Sequence, residues 1–150
     1  MNGSETIAER PDSIAKLPAI AAIVALAGLV DSGYLTIHHY TAEPVPCSLI
    51  EGCEKVLTSS YSELAGIPLA ALGAAAYFAA FSLALLAAFG NRFMWKLFGA
   101  QSIIMAVFTA WLIYLQAVVI GAFCQFCLIS AITSLTLLAL YLISTITRLK

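Results

Sequence analysis

"AVVIGAFCQFCLIS", residues 117–130, lies within a run that carries no charged side chain from Leu97 to Thr147. Built as one helix at about 1.5 Å per residue, that run would be about 75 Å long, more than twice the hydrocarbon thickness of a bilayer. The chain has to reverse inside it. Gly121 is the one glycine after Gly99, and glycine enters the left-handed backbone of a tight turn at little steric cost. The reading therefore places the reversal at Gly121, Ala122 and Phe123. Cys124 and Cys127 then stand at the start of the last helix.

Working outward from this turn, apolar residues make up 62% of the 150 and charged ones 10%, a balance that belongs to membrane proteins. A helix needs about 20 apolar residues to cross the hydrocarbon layer, and four runs qualify: Leu17 to Ile37, Ile67 to Phe89, Leu97 to Ile120 and Phe123 to Ile146. The expectation is an all-α membrane protein, a four-transmembrane-helix bundle over residues 17–146. Residues 1–16, with Glu5, Glu9, Arg10, Asp12 and Lys16, read as a flexible cytoplasmic tail, and 147–150 as a second short one. The amino end lacks the form of a cleaved signal peptide. A net charge of −1 gives nucleic-acid binding no support.

Four spans place both termini and the second loop on one side. Arg10, Lys16, Arg92, Lys96, Arg148 and Lys150 fall there, against Lys55 alone on the other. Positive charge marks the cytoplasmic face, so both termini are expected in the cytoplasm and the chain in the cell inner (plasma) membrane. The first loop, with Cys47 and Cys53, and the third, next to Cys124 and Cys127, are then expected at the outer face, where disulfides persist.

At i and i+3 the sulfurs of Cys124 and Cys127 share one side of a helix, close enough for a small disulfide that opens readily. The first turn of a helix also offers unpaired N–H groups and the positive end of its dipole, which stabilise a thiolate. Cys47 and Cys53, six apart near Pro44, Pro46 and Gly52, suit a pair in a mobile loop that exchanges with something in solution. One wet pair and one at the lip of the bilayer make a relay from an outer thiol partner to a lipid-soluble electron carrier. Each cysteine taken singly is also compatible with buried filler or half of a structural disulfide. Zinc fits less well, since the first pair lacks the usual two-to-four-residue spacing and the second is in apolar surroundings. Four cysteines allow three complete pairings, and the sequence does not choose among them.

The stretch "CSLIEGCEKVLTSSYSELAGIPLAALG", followed one span later by "FCQFC", resembles bacterial members of the vitamin K epoxide reductase family, as does "DSGYLTIHHY" at the end of the first span. The resemblance runs from about Leu17 to Ile146. Its specific part is the order of the pairs, since the other bacterial thiol–quinone enzymes, the disulfide-bond B proteins, have the Cys-x-x-Cys first. The resemblance implies a bundle around a quinone, ubiquinone or menaquinone, that takes up electrons and passes a disulfide to a thioredoxin-fold partner. It implies that Cys127 faces the quinone, that Cys124 bridges transiently to Cys53, and that Cys47 exchanges with the partner. It further implies a short capping helix in the first outer loop, with Ser59 in it at the site. Many bacterial members carry a fused thioredoxin-like domain, whereas this chain stops at Lys150, so a separate partner protein is expected. Ala131 stands where the animal enzymes have a tyrosine, which argues against vitamin K epoxide as substrate.

Asp31 is an acid inside the first apolar run, a costly placement that invites a reason. It is a candidate to accept or relay the proton that quinone reduction consumes, or else a wetted or hydrogen-bonded interfacial residue. Gln116, an amide in an apolar helix, is expected to turn inward and to line the quinone pocket; Trp111 and Tyr114 either line it or face lipid. His38, His39 and Tyr40 read as interfacial residues and Trp95 as an anchor at the inner interface. Gly66, Ala70 and Ala74 form a small-residue packing stripe. Ser60 and Glu63 make a capping-box pattern ahead of the second span.

The leading expectation is a membrane thiol–quinone oxidoreductase that generates disulfides. The alternatives are a structural tetraspan protein with disulfide-stapled outer loops, disfavoured because the third loop is too short to staple, and a metal-ion transporter, disfavoured because the cytoplasmic side lacks Cys and His.

Overall fold

The structure, a computed structural model, describes residues 12–47 and 49–150, with side chains from Lys16 onward. Four long helices carry the fold: α1 (Asp12–Thr41), α3 (Leu69–Ala88), α4 (Arg92–Tyr114) and α5 (Gln125–Leu149). All four are long and apolar enough to cross a membrane, because in hydrocarbon a chain must satisfy its backbone polar groups within itself and an uninterrupted helix does so. The chain is a multi-pass membrane protein built as a helical bundle. Residues 1–11 of the expected amino tail lie outside the described residues. Residues 12–16 already belong to α1, and α5 runs through 147–149, so the helices extend past the spans read from hydropathy.

α1 packs against α3 and α5, and α4 packs against the same two, which places α1 and α4 on a diagonal. The close-packed core occupies the half of the bundle nearer the two termini. Ala21, Ala22 and Ala25 of α1 meet Ala80, Ala84 and Ala87 of α3, with Trp95 and Phe98 of α4 and Leu137 of α5. Small side chains let helix backbones approach where hydrophobicity alone gives no drive for association in lipid. Trp95, expected as an interfacial anchor, is instead buried in this core. Its ring stacks on Phe98, and its indole N–H donates to Ser144 Oγ at 2.8 Å, which satisfies the one polar atom that a buried tryptophan carries. Asn91 caps α4, its Oδ1 accepting from the N–H groups of Phe93 and Met94.

The loop between the first two long helices folds into a lid. A short helix, α2 (Cys53–Leu57), is followed by a two-stranded hairpin, β1 (Glu63–Leu64) with β2 (Ile67–Pro68). Ala65 and Gly66 at its tip both have positive φ, 54° and 81°, the twisted turn that short hairpins prefer. Two expectations are corrected here. Gly66 belongs to this turn and not to a helical packing stripe. Ser60 and Glu63 do not cap α3, which begins after Pro68 with no side-chain cap. The hairpin intervenes, and the Glu63 carboxylate instead pairs with His39 Nε2 at 2.9 Å, pinning the lid to the outer end of α1.

Gly28 gives a direct test of this packing. A methyl group there would overlap the Tyr77 ring, whereas at Gly33 it would meet nothing within 4 Å. Overpacking costs about 1–3 kcal/mol, while alanine in place of glycine in a helix gains up to about 1 kcal/mol. Gly28→Ala is therefore expected to lower the unfolding temperature in detergent, and Gly33→Ala to hold or raise it.

Candidate functional site

The reversal between α4 and α5 sets the position of the inner cysteines. After Tyr114 the helix widens into a π-helical turn, Leu115–Ile120, and the chain then turns at Gly121 with φ 69°. Widened turns of this kind re-aim side chains and recur at functional sites. The backbone carbonyl of Gln116 accepts the N–H of Ala122 at 3.1 Å, and its buried side-chain Oε1 accepts the N–H of Cys124 at 3.1 Å. One residue thus closes the turn and orients the first cysteine. Cys124 is extended and caps α5, its carbonyl accepting from Leu128 N–H at 3.0 Å.

The lid brings the other pair to meet it. Cys47 and Cys53 form a disulfide, their Cα atoms 6.3 Å apart, while Cys124 and Cys127 are free thiols. Leu49 N–H donates to Gln125 Oε1 at 3.1 Å, tying the disulfide loop to the first turn of α5. Gly52 lies against the backbone of Phe123 so closely that a side chain there would overlap the Phe123 carbonyl. That approach seats Cys53, at the start of α2, in one buried cluster with Val56 and Cys124; Cys47, Leu57, Phe126 and Cys127 pack around it.

Beneath the lid the adjoining half of the bundle is hollow. A partly open cavity of ≈ 1020 Å³ is lined by α1 from Asp31 to His39, the lid from Ala42 to Leu64, α3 from Leu69 to Tyr77, and facing parts of α4 and α5. Asp31, Ser59, Gln116 and Cys127 all line it. Among the described residues Cys127 is the one cysteine that does; Cys124 turns toward Cys53 instead. Ser59 is not in the short helix as expected. It lies two residues past the end of α2, with its hydroxyl donating to the Val56 carbonyl at 2.7 Å. Trp111 and Tyr114 are exposed on the outside of the bundle and do not line the cavity. His38 and His39 stand at its rim.

Three lining residues escaped the sequence reading. Tyr77 is buried on α3, its hydroxyl donating to the Ser130 carbonyl at 2.6 Å and 3.0 Å from Ser130 Oγ. Ser134 follows one turn along α5, also buried. The available signal was spacing: Ser130 and Ser134 fall three and seven residues after Cys127, on the same helical face.

Electrostatics divides the two free thiols. The Cys127 thiol hydrogen-bonds to the Cys124 sulfur and pulls the Cys124 pKa down to about 7; burial opposes this, and the N–H groups of Cys127 and Phe126 add to it. Near neutral pH a large share of Cys124 is then thiolate, the reactive form. The Vitamin K epoxide reductase family model matches residues 19–142, a stretch that takes in all four cysteines and the lid.

Two outcomes follow. A lowered pKa means ionisation that is complete above about 7 and lost below it. The ultraviolet thiolate absorbance of reduced protein carrying Cys47→Ser and Cys53→Ser is expected to titrate with a midpoint near 7, and to move upward when Cys127→Ala is added. In protein carrying Cys47→Ser and Cys127→Ser, mild oxidation is expected to join Cys53 to Cys124, read by peptide mass, and Gly52→Val to suppress that bond by pushing α2 off Phe123.

Proposed function

The chain belongs to the vitamin K epoxide reductase family, a membrane oxidoreductase by that membership, and from this premise we propose that it is a thiol–quinone oxidoreductase that makes disulfides for a thioredoxin-fold partner. The observation that carries the reading is the division of the cysteines: Cys127 opens onto the cavity while Cys124 packs against Cys53. A sulfur facing a greasy hollow and a sulfur facing a loop disulfide are the two ends a relay needs. The cavity is at the upper end of the volume range of small-molecule sites and is mainly apolar with a few polar groups, which suits a membrane quinone such as ubiquinone or menaquinone as the oxidising substrate.

In this reading a partner thiolate attacks Cys47, breaking the Cys47–Cys53 bond and releasing Cys53; the partner's second thiol then resolves the mixed disulfide and leaves oxidised. Cys53 attacks Cys124 in its bond to Cys127, so that one S–S bond replaces another and Cys127 leaves as thiolate. Cys47 attacks Cys53, re-forming the outer disulfide and leaving the inner pair reduced, the arrangement of bonds seen here. Re-oxidation of the inner pair gives two electrons and two protons to the quinone. Ser59, Gln116 and Asp31 line the same cavity as Cys127 and are the polar groups offered to it. The charge bias favours both termini in the cytoplasm and the relay at the outer face of the plasma membrane, where dithiol partners reside.

The test mixes purified protein with a reduced thioredoxin-fold protein and a short-chain quinone and follows quinone absorbance. Wild type is expected to turn over, and Cys127→Ser and Cys47→Ser to fall on the order of 100-fold or more. Undiminished turnover in Cys127→Ser overturns the relay. No turnover in wild type with any of several partners and quinones leaves the cysteines as staples of a structural protein.

A further inference from the structure

Two polar atoms in the bundle are shielded from solvent yet have no hydrogen-bond partner among the described residues: Asp31 Oδ2 and Ser134 Oγ. Buried polar groups are nearly always paired, and leaving one bare is costly. Two such orphans in one protein call for an explanation. Both residues line the same cavity, and they reach it from different helices that pack on each other, α1 and α5. Ser134 is 1% exposed. Tyr77 is committed to Ser130, and Ser32 Oγ donates to the Gly28 carbonyl at 2.7 Å. The ring of Tyr77 lies against Gly28, one turn from Asp31 on α1, so its position between α1 and α5 is fixed from both sides.

Position along α5 sets Ser134 apart from the cysteines. Ser134 lies seven residues beyond Cys127 on the same face of α5, about 10 Å along the axis at about 1.5 Å per residue. That interval accommodates a six-membered dione ring lying lengthwise, with one carbonyl toward the sulfur and the other within hydrogen-bond reach of the serine. We propose that Asp31 and Ser134 form a second pole of the cavity that binds the quinone oxygen remote from Cys127, Ser134 holding it by a hydrogen bond and Asp31 delivering its proton. The proposal rests on the thiol–quinone reading above.

The proton count closes. Formation of the Cys124–Cys127 bond removes two electrons and two thiol protons, and quinol formation takes up two of each. Cys127 is next to the near oxygen. The far oxygen is out of reach of either sulfur and needs a donor of its own. The Asp31 acid transfers its proton there, forming the second O–H bond and leaving a carboxylate. The proton released by Cys124, or an equal one from water at the rim of the cavity, restores the acid.

The experiment has a binding arm and a kinetic arm. Equilibrium binding of a short-chain quinone is measured in the redox-inactive Cys127→Ser background, alone and with Ser134→Ala or Asp31→Asn. Ser134→Ala is expected to weaken binding about 3- to 10-fold, the loss of one hydrogen bond, and Asp31→Asn, which keeps the shape and a donor, less than about 3-fold. With all cysteines present, Asp31→Asn is expected to lower kcat on the order of 100-fold, the usual scale of a general acid, and to change KM little, while Asp31→Glu recovers part of the loss. Exchange of the outer disulfide with the dithiol partner stays at the wild-type rate in each variant. Wild-type kcat in Asp31→Asn, or wild-type affinity in Ser134→Ala, overturns the proposal and leaves ordered water as the partner of the orphan atoms, with the thiol–quinone reading intact. A wild-type protein that neither binds nor reduces any quinone overturns both. Should Asp31→Asn fail to fold, the Ser134→Ala affinity decides by itself.

Discussion

The hydrogen bond from Cys124 N–H to Gln116 Oε1 answers the main difficulty of this chain, which is to reverse direction between two apolar helices with no charged residue to spare. Each helix end leaves backbone groups without intrahelical partners, and near the hydrocarbon water is not there to take them. Gln116 covers both sides of the turn, its backbone carbonyl receiving Ala122 N–H and its amide receiving Cys124 N–H. The π-helical widening just before Gly121 brings that amide inward. Replacing this glutamine by an apolar residue would leave a buried N–H bare at the position where the reactive sulfur is aimed. Turn closure and thiol orientation are therefore one requirement.

From that anchored turn the remainder of the site follows by contact. Gly52 rests on Phe123, Leu49 is held by Gln125, and α2 is seated on the reversal. The lid needs a second attachment on the far side, and His39 with Glu63 supplies it. A lid held at two edges over helices that pack tightly only in the halves away from it leaves a hollow between. The alanine-rich floor of Ala21, Ala25, Ala80 and Ala84 holds the bundle together, so the half under the lid can stay open without the fold depending on it. Stability and vacancy are placed at different depths of the same four helices.

Charge alone makes the spans and the reversal legible, because a fifty-residue uncharged stretch admits few solutions in a bilayer. Asp31 and Gln116 stand out in the sequence for a related reason: polar groups in apolar spans are rare enough to be noticed one at a time. The lid is less legible. Its hairpin strands are two residues long, and its tip is Ala65-Gly66 in place of a stronger turn pair, so the serines and Glu63 imitate a helix cap and hide it. Serines and threonines within a transmembrane helix also tend to satisfy themselves on the preceding turn, as Ser102 does with Phe98 and Thr133 with Ile129. Spacing puts Ser134 on the face of Cys127, but nothing in the sequence says that its hydroxyl, unlike theirs, goes without a partner on the preceding turn. Tyr77 is hidden in the same way, since its role depends on a glycine of another helix that makes room for its ring.

The two pairs of cysteines differ most in what surrounds them, and in the proposed relay that difference gives each sulfur its part. Cys47 is in a loop just after Pro44 and Pro46 and within reach of solvent; Cys53 and Cys124 are enclosed together; Cys127 opens on an apolar hollow. In thiol–disulfide exchange a sulfur of low pKa is the better leaving group. Cys124, packed on Cys53 and with its pKa drawn down to about 7, is placed to take the bond from Cys53 and to leave as thiolate when Cys47 closes back on Cys53, and it does not line the cavity. Cys127 has the opposite placement. If the two were exchanged along the chain, the good leaving group would face the hollow and the sequestered thiol the loop, and exchange between the pairs would lose its leaving group. The three-residue spacing permits this division because Cys124 is the extended residue that caps α5 while Cys127 lies in its first turn, so two sulfurs close in sequence face different surroundings. One turn of chain is thus enough to separate the sulfur packed against the lid from the sulfur that opens on the cavity.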